Sequence, residues 1–190
     1  GKTPKKIKTI AVYRSPPLNK LLITMMKKSN NIYADSLVKT LGFVATGVGS
    51  FQRGDNVVKR VLHEKTGIDF SRVDLADGSG ASRYDLLSPL QFARLLFVMH
   101  HSKYAHYFER SLPVSGVDGT LTWRMASTQM KGRVMAKTGT LRGVSSLSGY
   151  ITTQKKHLLI FSIMVNHIIG LHKKAMVMED SLLSIVHRTR

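Results

Sequence analysis

The chain has 190 residues, 43% of them hydrophobic. That is enough for one substantial core, and too apolar for a disordered tail. Lys and Arg outnumber Asp and Glu by 29 to 11, a net charge of +18, and the first forty residues hold nine basic side chains against one acid, Asp35. No basic stripe interleaved with aromatics accompanies that charge, so it reads as a solvated basic surface, and no nucleic-acid partner is expected. The absence of cysteine excludes a disulfide framework and a thiolate metal site. The longest apolar run, 157–171, is interrupted by Asn166 and His167 and falls short of the ~20 residues of a membrane span. No signal-peptide pattern is visible. The chain opens on Gly1, so its natural start is expected to have been removed.

In chain order, IKTIAVY at 7–13 predicts a strand that stops at Ser15-Pro16-Pro17, where proline suits a helix start. Leu18, Leu21, Leu22, Met25 and Met26 follow the spacing of a buried helical face. Tyr33, Leu37, Val38 and Leu41 resume such a face, with Gly42 placed to end it. Further helices are expected over 55–65, ending near Thr66-Gly67, and over 89–101 after Ser88-Pro89, with a glycine-rich turn at 77–82 between them. The last third changes character. Segments 133–141, 144–153 and 157–166 read as strands joined by short turns, hence an antiparallel meander, and an amphipathic helix over about 171–187 follows. Helices, then antiparallel strands, then a helix predict an α/β or α+β domain, its sheet flanked by helices.

Two polar stretches interrupt this pattern. Ser29, Asn30 and Asn31 stand between two helical runs, and Ser29 falls where an apolar stripe continued from Leu22 to Tyr33 would pass. Locally this is a turn in which Ser29 or Asn31 caps the second helix; alternatively it projects a hydroxyl and a carboxamide into a cleft. The second stretch is AKTGT at 136–140. On a strand, Lys137 and Gly139 share one face, and the missing side chain of Gly139 admits another backbone. An edge strand blunted by lysine is the plain reading. A Lys-Thr-Gly strand downstream of a Ser-x-Asn turn is, however, the pair found in penicillin-interacting serine enzymes.

YRSPPL at 13–18, SNN at 29–31, DGSGASR at 77–83, SLPVSGVDGTL at 111–121 and the stretch 133–166 occur in order over nearly the whole chain. In them the sequence resembles the low-molecular-mass D-alanyl-D-alanine carboxypeptidases/endopeptidases, penicillin-binding proteins related to serine β-lactamases. The resemblance implies the C-terminal part of the β-lactamase/DD-peptidase fold, with residues 1–190 as one portion of a catalytic domain. It implies a periplasmic or cell-envelope setting, stem peptides of peptidoglycan ending in D-Ala-D-Ala as substrate, β-lactams as inhibitors, and no cofactor or metal. Cleavage would run through an acyl-enzyme on a serine.

In that scheme Ser29 relays a proton to the leaving amine, Asn31 hydrogen-bonds the substrate amide, and Lys137 places positive charge beside Ser29. Thr138 and Thr140 offer hydroxyls to the terminal carboxylate, and the N–H of Thr140 forms half of the oxyanion hole. The substrate lies along the strand as an added strand over Gly139. The family's nucleophile sits in a Ser-x-x-Lys element N-terminal to Ser-x-Asn, which residues 1–28 do not contain. The literal match Ser36-Leu37-Val38-Lys39 follows the turn and is read as ordinary helix. The missing N-terminal portion is therefore expected to be this chain's partner, and the isolated chain to be inactive. A non-catalytic peptidoglycan-binding remnant and a binder of anionic polymers are the alternatives. His100, His101 and His106 lack zinc-site spacing, the 77–80 turn and Asp118-Gly119 are read as structural, and Asp85 stands where relatives often carry asparagine.

Overall fold

The computed structural model describes residues 6–70 and 73–189. Three helices come first: α1 (Leu18–Lys28), α2 (Asn31–Thr46) and α3 (Phe51–Thr66). After the 77–82 turn follow α4 (Pro89–His100), α5 (Ala105–Ser111) and the 3-10 turn η1 (Gly119–Leu121). Strands β1 (Val134–Leu141), β2 (Val144–Thr152) and β3 (Leu158–Val165) form an antiparallel sheet in the order β1-β2-β3, and α6 (His172–Arg188) ends the chain. The expected α/β class and meander are thus present.

The register divides the sheet into two unlike faces. Val134 and Ala136 of β1, Leu147 and Ile151 of β2, and Phe161 and Ile163 of β3 point to one side, where Leu183 and Val186 of α6 close a core with Leu121, Met125 and Met130. On the other side a cross-strand row Met135, Tyr150, Ile160 packs under Leu96 of α4, Leu112, Phe108 of α5 and Met26 of α1. The Tyr150 hydroxyl donates to the Leu96 carbonyl at 2.7 Å, satisfying a group that burial would otherwise penalise. The next rows on this face are mostly polar or small: Lys137, Ser148, Ser162, then Gly139 and Ser146, with Met164 the one large apolar member. Apolar cover ends where these rows begin.

Helix ends follow local chemistry. Ser88 and Gln91 form a capping box with Pro89 in the first turn of α4, and Gly67 closes α3 at φ 64°. Gly42, expected to end the second helix, instead lies inside α2, which continues to Thr46 with Gly47 as its cap. What Gly42 supplies is proximity: with Gly54 of α3 it lets the two helix backbones touch, and a Cβ on Gly54 would land on the Val38 carbonyl. The strand expected over 7–13 does not form. Those residues are irregular, with Ile10 98% exposed, because no neighbouring strand among the described residues takes up their ladder bonds. No helix among the described residues is long and apolar enough to cross a membrane.

Candidate active site

The site lies at the junction of α1, η1 and β1. Ser29 ends α1 in the left-handed conformation, φ 50° and ψ 53°, its N–H turned to the carbonyls of Met25 and Met26. A non-glycine residue there is held at a cost of about 1–2 kcal/mol. The turn is fixed by Asn30, whose side chain accepts from the Tyr33 N–H at 3.1 Å and caps α2. Neither Ser29 nor Asn31 serves as that cap. Ser29 is the left-handed stop of α1, and Asn31 is the first residue of α2, exposed and without a hydrogen bond to Ser29 or Lys137.

Across 108 residues of chain, the Lys137 ammonium donates to the Ser29 hydroxyl at 2.8 Å and to the Thr138 carbonyl at 2.6 Å. Both acceptors are neutral. Burial pushes the Lys137 amine below the ordinary lysine value, because desolvation penalises the charged form. A lysine poised in this way takes up and returns a proton more readily than a solvated one.

The outer edge of β1 is half covered. Ala136 N–H donates to the Pro113 carbonyl at 3.0 Å, and Ser115 N–H donates to the Val134 carbonyl at 2.9 Å, so segment 113–115 occupies the first half of the edge. By strand alternation the backbone groups of Thr138 and Thr140 face outward on the same side. Among the described residues no backbone segment pairs with them there. The Thr140 N–H is therefore presented to an incoming group. The Thr138 hydroxyl donates to Thr120 Oγ1 of η1 at 2.9 Å. Gly139 faces the same side as Lys137, and a Cβ added to it would meet the Ser146 hydroxyl, a side chain of the neighbouring strand.

Two concavities adjoin the ends of β1, at Met135 and at Leu141, and neither is lined by Ser29, Lys137, Thr138, Gly139 or Thr140. One of about 880 Å³ is lined by Ser146, Arg83, Arg142, Phe92, Met164 and Asn166; the other, of about 470 Å³, contains Lys27, Asp118 and Met135. Ser36 is on α2, solvent-exposed, its carbonyl accepting from the Thr40 hydroxyl. His100 pairs with Glu109 at 2.7 Å, and among the described residues no cluster of three or more His, Asp or Glu is placed to hold a metal ion. Sequence reasoning missed Thr120 and the Lys27–Asp118 ion pair at 2.6 Å. The only available signal was the proximity in sequence of Lys27 to Ser29.

Comparison with known proteins identifies the family and the fold. The family model described as the D-Ala-D-Ala carboxypeptidase 3 (S13) family matches residues 1–183. D-alanyl-D-alanine carboxypeptidase DacB of Haemophilus influenzae is 38% identical over 167 residues, covering 86% of this chain and 34% of the relative. The D-alanyl-D-alanine carboxypeptidase of Actinomadura sp. (strain R39) is 39% identical over 162 residues, 83% of this chain and 30% of the relative. The structure of penicillin binding protein 4 (dacB) from Haemophilus influenzae, complexed with a β-lactam, superposes with a TM-score of 0.88 at 32% identity, covering 100% of this chain and 46% of that one. The chain spans about a third of the length of these curated relatives.

Proposed function

We propose, from the premise that the chain belongs to the D-Ala-D-Ala carboxypeptidase 3 (S13) family, that it carries the proton-transfer and substrate-docking half of a serine D-Ala-D-Ala peptidase. The substrate class is peptidoglycan stem peptides ending in D-Ala-D-Ala, in the periplasm or cell envelope, and the inhibitors are β-lactams. The observation that carries this reading is the 2.8 Å contact between Lys137 and Ser29.

A serine hydroxyl, its proton taken by the lysine of its own Ser-x-x-Lys element, attacks the carbonyl of the penultimate D-Ala, and the oxyanion so formed accepts the Thr140 N–H. Breaking the C–N bond leaves an amine that needs a proton. Ser29 accepts from Lys137, so its own hydroxyl proton is free to go to that amine while Lys137 resupplies it. Asn31 holds the substrate amide, Thr138 and Thr140 the terminal carboxylate, and Gly139 makes room for the Ser146 hydroxyl beside them. Water then hydrolyses the acyl-enzyme.

The attacking serine is proposed to lie outside these 190 residues. Supporting this are the share of the relatives' length that the chain spans and the position of Ser36, exposed within α2 with no hydrogen bond to Ser29 or Lys137.

Intact-mass spectrometry with penicillin tests the scheme. The isolated chain is expected to form no covalent adduct. The chain joined to a preceding segment that carries Ser-x-x-Lys is expected to form one, on that serine. In the joined protein Lys137→Ala or Ser29→Ala should slow acylation by ~10²–10⁴. A one-to-one adduct on the isolated chain, or a label mapped to Ser36, refutes the placement of the nucleophile. Unimpaired acylation in both variants refutes the roles of Lys137 and Ser29.

A further inference from the structure

Thr120 sits in η1, packed between α1 and β1, and two ties fix it there. Lys27, two residues before Ser29, donates to Asp118 Oδ2 at 2.6 Å and to the Leu112 carbonyl at 2.9 Å. Asp118 Oδ1 in turn accepts the Val114 N–H at 3.0 Å. Gly119, at φ 60°, lies so close to α1 that a Cβ would stand 2.9 Å from the Lys27 carbonyl. One ion pair therefore sets the last turn of α1 and the start of η1 against each other. Thr120, exposed to solvent, brings its hydroxyl to 2.9 Å from that of Thr138.

We propose that Thr120 is the positioning residue for Thr138 in carboxylate recognition. The inference rests on reading the open half of β1 as the seat of the D-Ala-D-Ala terminus. A lone threonine hydroxyl rotates among staggered orientations; one tied to a fixed neighbour does not. In the free protein Thr138 donates to Thr120. When a carboxylate arrives, Thr138 turns its proton onto it and Thr120 turns its own proton onto Thr138 Oγ1. Both hydroxyls keep their protons, and only the direction of donation reverses. A donor that is itself accepting a hydrogen bond is polarised, and its bond to an anion is about twice as strong as one to a neutral group. Thr120 thus matters more for a C-terminal carboxylate than for a carboxamide in the same place.

The test is the ratio of affinities of the 190-residue chain for N-acetyl-D-Ala-D-Ala and for its C-terminal carboxamide, measured by NMR titration, with folding of each variant checked by circular dichroism. Wild type should favour the carboxylate. Thr120→Val should lower that ratio about tenfold, Thr120→Ala should do the same, and Thr120→Ser should restore it to within about twofold. If the valine and alanine variants weaken both ligands alike and keep the ratio, Thr120 is merely structural and the inference is overturned alone. If wild type itself shows no preference, the D-Ala-D-Ala reading of this edge falls, and the inference falls with it.

Discussion

At Ser29 a hydroxyl and a backbone conformation make opposing demands. Glycine would satisfy φ 50° without strain but supplies no oxygen for Lys137. Ser29→Gly should therefore be more stable than Ser29→Ala by about 1 kcal/mol in urea unfolding, although both remove the same hydroxyl. Equal stabilities would show that the turn imposes no strain. Asp85 presents a different conflict. Burial raises its carboxyl above the ordinary 3.8, against the N–H that Ala76 donates to Oδ1, and the neighbouring Asp77 raises it further; Oδ2 has no partner. The folded state thus holds a proton that the unfolded state releases at 3.8. Stability attributable to Asp85 is full below that value, falls as pH rises through the folded value, and the ionised group is a penalty at neutrality. Asp85→Asn keeps an acceptor for Ala76 and removes the charge. Its Tm should exceed the parent's at pH 7 by roughly 2–4 °C, with the difference shrinking below pH 4. A lower Tm at pH 7 would contradict the assignment. Ser29 and Lys137 were legible in the sequence because their residue types and order form a rare pair. Thr120 was not, since a threonine three residues into a turn carries no sign of which hydroxyl it will meet.

Among the elements, those with a repeating apolar pattern were read well and those whose reason is a single contact were not. The three strands and the start of α4 after Ser88-Pro89 follow from alternation and helix-start chemistry that a short window contains. Helix α5, seven residues long, has too few turns to show a period. Residues 7–13 have a strand's composition, yet a strand exists only where a neighbour takes its ladder bonds. Gly42 was mistaken for a stop because glycine serves both free φ and close approach, and composition does not distinguish them. The close approach is testable at its partner. Gly54→Ala places a methyl against the Val38 carbonyl and should cost on the order of 1–3 kcal/mol, read by denaturant unfolding. A neutral outcome would mean that α2 and α3 separate at little cost.

Over the whole molecule, the surplus of positive charge makes the buried acids conspicuous. Glu179 of α6 is fully buried; it accepts from Arg124 Nη2 at 3.0 Å and from the Ser145 hydroxyl at 2.7 Å, so one side chain joins α6, the segment after η1 and β2. Glu179→Gln leaves Arg124 buried with only the partly exposed Asp180 for charge. It should destabilise by about 3–5 kcal/mol, whereas replacing Arg124 and Glu179 together by apolar residues should recover most of that loss. A single variant as stable as the parent would show the pair to be dispensable.

The half-covered edge of β1 sets a limit on ligand length. Segment 113–115 leaves only Thr138–Leu141, roughly 13 Å at the rise of a strand. A peptide laid there exhausts its ladder bonds within about four residues, so adding residues to a ligand brings no further backbone pairing. Tight ligands for this edge should therefore be compact and anionic, with their affinity concentrated at one end.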